Sequence, residues 1–211
     1  MTAAHKHYES SSLLYQDQDI LLINKTAGLL SSPDGYNPNL PHIKKILAPH
    51  FGELWMVHRL DKETSVVMIF ARNEEAHQNL NRAFRNREVN KVYHGLVSPI
   101  PQWREKRITL PLQVDADRKH RTRIAVSQGK EARSDCKVLK VFQFGVLMKI
   151  KIHTGITHQI RAHLRSEGLS LFGETLYNAG LSPLPLSAPR MMLHAKSIAF
   201  NHPSTGKWLN I

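Results

Sequence analysis

The stretch His58-Arg59-Leu60-Asp61-Lys62-Glu63-Thr64-Ser65 concentrates ionisable and hydroxyl groups directly ahead of an apolar run. An aspartate set among cations in such a loop can serve as a nucleophile, a general base or an electrostatic anchor. By residue type alone Asp61 is a turn former or helix cap. A second cluster, Thr154-Gly155-Ile156-Thr157-His158-Gln159-Ile160-Arg161-Ala162-His163, passes from a strand end through a glycine into a helix. His158, Arg161 and Arg165 fall at i, i+3, i+7, which gives that helix one cationic face opposite Ile160 and Leu164. A solvated face and a phosphate-binding face fit this spacing equally. His158 and His163 are five apart with no Glu between them, which breaks the zinc-hydrolase spacing, so no metal is assigned to them. The third cluster, Arg118-Lys119-His120-Arg121-Thr122-Arg123, holds four positive charges in six residues. Their mutual repulsion is best relieved by a phosphate backbone, which points to nucleic-acid contact.

These groups need elements to position them. Ile20–Ile23 reads as a strand ended by Asn24-Lys25 and the turn chemistry of Ala27-Gly28. A short helix falls within 38–49, with Ile43, Ile46 and Leu47 inward and Lys44 and Lys45 outward. Val66–Phe70 reads as a buried strand, and Asn73 as the N-cap of a helix running to about Arg85, with Glu74 and Glu75 in its first turn. Further strands are expected over Val92–Val97, Arg121–Val126 and Cys136–Gln143. The clearest alternation is Val146, Met148, Ile150 and Ile152 against Leu147, Lys149, Lys151 and His153. A helix follows from about Thr157, with Gly168 as its C-terminal cap, and Met192–Phe200 with Lys207–Ile211 form a last hairpin. Hairpins interrupted by three helices give an α+β class around a mainly antiparallel sheet.

With 41% hydrophobic and 22% charged residues in 211, the chain is neither collagen-like nor disordered. Twenty-nine Lys and Arg against 17 Asp and Glu give a formal charge of +12, which favours a polyanionic partner. One cysteine, Cys136, excludes an internal disulfide or a multi-cysteine zinc site and fits a reducing compartment. The longest apolar stretch, Val66–Ala71, is far shorter than the ~18 residues of a membrane helix. The start of the chain is unlike a signal peptide, so the expectation is a cytoplasmic protein. We expect a flexible segment over 1–12 and one continuous domain over 13–211. A metal-dependent nuclease would need carboxylates clustered at ligand spacing, and the sequence lacks them.

Taken in order, these segments resemble the RluA-type family of RNA pseudouridine synthases. The family's signature around its aspartate is similar to His58-Arg59-Leu60-Asp61 with Thr64-Ser65, its second motif to Lys91-Val92-Tyr93, and its third to Thr154-Gly155 with Thr157-His158-Gln159-Ile160-Arg161 and His163. Asn24-Lys25 with Gly28-Leu29, Gly173 and Tyr177, Leu193-His194-Ala195 and His202-Pro203 extend the likeness from about Leu13 to Trp208. The resemblance implies the pseudouridine synthase fold, a mainly antiparallel mixed sheet with flanking helices and a central RNA-binding cleft, in its short form without an S4-type domain. It implies a cofactor-free isomerase that converts uridine to pseudouridine in structured rRNA or tRNA, with Asp61 as catalyst, Tyr93 stacked on the base and Arg161 paired with Asp61. Arg59 would hold open the gap left by a flipped nucleotide. His58, His158, Arg118, Lys119, Arg121 and Arg123 are the further RNA contacts, and a monomer is expected. Departures from the family's pattern are Val66 for glycine, Ile156 for arginine, Thr26 for proline and Glu174 for aspartate. Those at 66 and 156 favour a second reading, an RNA-binding protein of the same fold that has lost catalysis and acts as an RNA folding or assembly factor. The retained Asp61 favours the enzyme.

Overall fold

Two uninterrupted apolar runs, Ile20–Ile23 and Val67–Ala71, set the plan of one half of the chain, because a strand apolar on both faces must be covered on both. The computed structural model describes residues 12–33, 37, 39–58, 61–178 and 187–211. The strands are β1 (Ser12–Gln16), β2 (Ile20–Lys25), β3 (Trp55–Met56), β4 (Ser65–Ala71), β5 (Asn90–Ser98), β6 (Glu105–Ile108) and β7 (Leu112–Gln113). They continue with β8 (Arg123–Ile124), β9 (Ser134–Phe142), β10 (Gly145–Ile152), β11 (Ser170–Leu171), β12 (Leu193–Asn201) and β13 (Trp208–Asn210). The helices are α1 (Ile43–Phe51), α2 (Glu74–Arg85) and α3 (Gln159–Ser166). The chain divides into two units, Met1–Asn90 with Ala195–Ile211, and Lys91–His194.

In the first unit the strand order is β1-β2-β4-β12, with β3 on β4 and β13 on β12. β2 and β4 are antiparallel, Ile20 opposite Ala71 and Lys25 opposite Val66. Alternate residues of the two runs feed two separate cores. Ile20, Leu22, Val67, Ile69 and Ala71 pack with Ala76 and Leu80 of α2 and with Phe200 of β12. Leu21, Ile23, Met68 and Phe70 pack with Ile43, Ile46 and Leu47 of α1. Asn73 caps α2 as expected, its Oδ1 accepting the Ala76 N–H at 2.8 Å. The helix within 38–49 starts at Ile43, where His42 Nδ1 accepts the Lys45 N–H.

In the second unit the order is β5-β10-β9-β6, antiparallel throughout, with β11 added to β5 and β7–β8 as a separate pair. The expected alternation of β10 is present: Val146, Met148, Ile150 and Ile152 are buried, while Lys149 is exposed. α3 packs on β8, β9 and β11. It begins at Gln159 because His158 is left-handed, at φ 55°. It ends where Gly168, at φ 71°, lets the Leu169 N–H reach the Leu164 carbonyl at 2.9 Å. The fold is therefore α+β with mainly antiparallel sheets and few helices.

Candidate active site

Asp61 opens a tight turn in the first unit: its carbonyl accepts the Thr64 N–H at 3.2 Å, and Thr64 is buried. The backbone thus follows the turn-former reading, with the Asp61 side chain half-buried at the turn's entry. Against this turn lies Lys25, wholly buried at the end of β2. Its Nζ donates to the carbonyls of Thr26 at 2.9 Å, Leu29 at 2.8 Å and Lys62 at 3.3 Å, one acceptor for each ammonium proton. Gly28, at φ 87°, adds its own N–H to the Lys62 carbonyl at 2.8 Å, in a conformation a side chain would strain. The residue next to Asp61 is therefore gripped twice, by the last residue of β2 and by the loop that follows it. Burial pushes the Lys25 ammonium down to about 8, with the Glu63 and Asp61 carboxylates acting against that shift. His58 is tied to β4 and α2. Its Nε2 accepts the Ile69 N–H at 3.1 Å, and its ring stacks on Phe84 with centroids 5.0 Å apart. Arg59 lies outside the described residues.

Lys25 gives a pH-dependent prediction. Its folded pKa, about 8, is below the unfolded value of 10.5, so between those limits the unfolded chain holds more protons and raising the pH favours the fold. Denaturant unfolding should show the wild type gaining about 1–3 kcal/mol over Lys25→Met between pH 8 and pH 10.5. Parallel stability curves would remove Lys25 from this role.

In the second unit, Tyr93 is buried on β5 opposite Ile150, and Lys91 stands two residues earlier on the same face, opposite Ile152. Lys91 Nζ is 3.6 Å from where a Cβ on Gly155 would lie, so it packs over the strand-to-helix junction, and burial lowers its pKa. A buried polar network fixes that junction. Gln159 Oε1 accepts the Thr154 hydroxyl at 2.7 Å and the Ile156 N–H at 3.2 Å, while its Nε2 donates to the Arg133 carbonyl at 2.9 Å and to Ser134 Oγ at 3.0 Å. His163 completes it, bridging Ser134 Oγ and the Leu110 carbonyl, with burial lowering its pKa.

The cationic face expected on α3 is not a solvated one. Arg161 is 9% exposed and forms a bidentate pair with Glu174, Nε to Oε2 and Nη2 to Oε1, both at 2.7 Å. Burial pushes the Glu174 carboxyl up, but Arg161 and the N–H groups of Leu176 and Tyr177 outweigh it and hold it below the usual range. Gly173, just before Glu174, lets the backbone at Arg190 pass close: a Cβ there would meet the Arg190 carbonyl oxygen at 2.1 Å. The Arg161 guanidinium lies 5.0 Å from the Tyr177 ring centroid, and His158 meets the same ring edge-on. Tyr177 Oη accepts the Thr122 N–H at 2.7 Å and shares a hydrogen bond with His158 Nδ1 at 3.1 Å. His158, Arg161 and the root of the basic arm are thereby brought together. Ile156 packs against Leu112, Ala132, Ala162 and Tyr177, so its apolar side chain is used by the core.

The basic arm joins β7 to β8 and carries its own counter-charge. Asp117 Oδ1 accepts the N–H groups of Lys119 and Arg121, and its Oδ2 pairs with Arg121 Nε at 2.6 Å. Arg118, Lys119 and Arg123 are exposed. If these three meet phosphate, their joint replacement by Gln should flatten the log–log salt dependence of RNA binding by about 2–3 units. An unchanged slope would mean that the arm does not touch the backbone of the RNA.

Asp17, Asp19 and His202 bring ligand-type atoms within 4.8 Å of one another, and hydrogen bonds account for them. His202 Nδ1 accepts the N–H groups of Ser204 and Thr205, so its Nε2 donates to Asp17 Oδ2 at 2.8 Å. Asn73 Nδ2 donates to Asp19 Oδ1 at 2.8 Å.

Comparison with known proteins shows the family. A family model described as RNA pseudouridylate synthase matches residues 19–166. The chain is 38% identical over 215 residues to an uncharacterized RNA pseudouridine synthase of Aquifex aeolicus, covering 94% of this chain and 67% of that one. It is 33% identical over 196 residues to the dual-specificity RNA pseudouridine synthase RluA of Salmonella typhi, covering 92% and 88%. Among solved structures, human RNA Pseudouridylate Synthase Domain Containing 1 aligns with a TM-score of 0.77 at 26% identity, over 95% of this chain and 82% of that one.

Proposed function

Because the chain belongs to the RNA pseudouridine synthase family, isomerases that act on RNA, we propose that it converts uridine to pseudouridine in structured rRNA or tRNA with Asp61 as the catalyst. The observation that supports this reading is the Asp61 turn, whose backbone is gripped at the Lys62 carbonyl by Lys25 and Gly28. The reaction breaks the bond between uracil N1 and ribose C1′, turns the base, and forms the bond from C1′ to C5. The C5 proton is lost and N1 gains one, with no redox change and no energy input. Asp61 acts as nucleophile, at C6 of the base or C1′ of the sugar, or as the base that takes the 2′ proton. Tyr93 stacks on the base, and Arg161 is the guanidinium that orients the carboxylate. Arg59 holds open the space left by the flipped nucleotide, while His58, His158 and the arm cations hold the RNA around it.

The test is pseudouridine formation in RNA that is folded in advance and then treated with excess chelator. Full conversion is expected, since no step of this chemistry calls for a metal. Activity that returns only on adding a divalent ion would overturn the reading.

A further inference from the structure

The tip of the β9–β10 hairpin takes no part in any of the arrangements above. Phe142 and Phe144 are 44% and 61% exposed, with Leu139 and Val141 beside them at 44% and 43%. From Val138 to Lys149 the hairpin carries Lys140 and Lys149 and no Asp or Glu. Pairing of β9 with β6 stops at Lys137, with one more bond from the Val138 N–H to the Arg104 carbonyl, so among the described residues Leu139–Phe142 is an open edge. A bare apolar edge is a liability in a free protein unless something covers it. Lys140 Nζ stands 5.3 Å from the centroid of the Phe142 ring, which places an ammonium next to an exposed aromatic face. A base stacked on the ring and its phosphate on the ammonium would satisfy both groups.

We propose that this tip is a second RNA contact, at which Phe142 and Phe144 stack unpaired bases and Lys140 takes an adjacent phosphate. The proposal rests on the reading of the chain as an RNA-modifying enzyme and narrows its substrate class. Seven residue steps of β10 separate Gly145 from Ile152, so the tip is about 23 Å from the far end of that strand, which leads into the junction at Thr154 and Gly155. The RNA should therefore carry an unpaired stretch well away from the nucleotide being modified. A second copy of the chain fits the edge poorly. Antiparallel pairing of two such edges sets the two Lys140 residues close together and joins two chains of charge +12.

The experiment measures binding of the full chain to a labelled single-stranded RNA of about 12 nucleotides and to a blunt RNA duplex of equal length. Phe142→Ser with Phe144→Ser should weaken single-strand binding at least tenfold and duplex binding less than twofold, since a duplex offers no open bases. Phe144→Trp should hold or tighten single-strand binding, and Lys140→Gln should flatten its salt dependence by about 0.7 unit. Both rings are exposed, so the thermal midpoint of the double variant should match the wild type. If it drops, Phe144→Ser alone carries the test. Unchanged single-strand affinity, or equal loss on both RNAs, overturns the proposal. So does a concentration-dependent dimer that the serine variants dissolve without change in RNA binding. Pseudouridine formation by the wild type, scored separately, tells failure of this contact from failure of the enzymatic reading.

Discussion

Asp61→Asn is expected to abolish pseudouridine formation while leaving RNA affinity within about threefold. Asparagine is also a turn former, and the bond from the Thr64 N–H to the residue 61 carbonyl does not involve the side chain, so the turn should persist. The Lys62 carbonyl keeps both of its donors, Lys25 Nζ and the Gly28 N–H. What disappears is the anionic oxygen that every version of the chemistry requires. Affinity is carried by cations and stacking spread over many residues, so a single carboxylate contributes little to it. Single-turnover measurement on a mapped RNA substrate decides the matter. A variant that keeps even a tenth of the rate would take Asp61 out of the catalytic role. The same substitution removes one of the two carboxylates that support the proton on Lys25, so the pKa of Lys25 should fall further.

The elements of each unit were legible where periodicity and burial act together. The runs at Ile20–Ile23 and Val67–Ala71, the Asn73 cap and the alternation of β10 all record side chains that face a core. β6 left no such record. Glu105, Lys106 and Arg107 point into solvent, and the strand exists because β9 offers its edge, a fact of the neighbour and not of the segment. The strand expected over Arg121–Val126 shortens to Arg123–Ile124, because Asp117 folds Arg121 back and Tyr177 takes the Thr122 N–H. In the site, the Asp61 loop was recognisable from residue types, whereas the role of Lys25 was not. A lysine at a strand end reads as solvated, and its burial depends on carbonyls supplied by Leu29 and by Lys62, 37 residues away. The burial of Arg161 likewise depends on a residue outside its own segment. Its i, i+3, i+7 spacing with His158 and Arg165 describes a face of the helix, but Glu174 lies beyond the helix end and turns that arginine inward.

Glu174→Gln should be the most damaging substitution to stability in the second unit. It leaves the Arg161 guanidinium buried opposite a neutral amide that can accept at one atom only, and breaking a buried pair from one side costs about 3–5 kcal/mol. In a chain of this length that is a fall of about 6–20 °C in thermal midpoint. The acid limb should change with it. In the wild type the Glu174 carboxyl is held below its ordinary value of 4.5, so its stabilisation is present above that pH and drains away as the pH falls through the folded value. The Gln variant should lose this part of the acid dependence. Arg161→Met combined with Glu174→Leu separates packing from chemistry, since replacing both partners of a buried pair by apolar residues of similar volume is often neutral or stabilising. The double variant should recover most of the midpoint lost in Glu174→Gln and still form no pseudouridine, because the guanidinium proposed to orient Asp61 is gone. Recovery of activity together with stability would show that Arg161 serves only the fold. Loss of the midpoint in the double variant as well would show that its hydrogen bonds, including the Glu174 contacts to the N–H groups of Leu176 and Tyr177, hold the loop after β11 more strongly than the ion pair does.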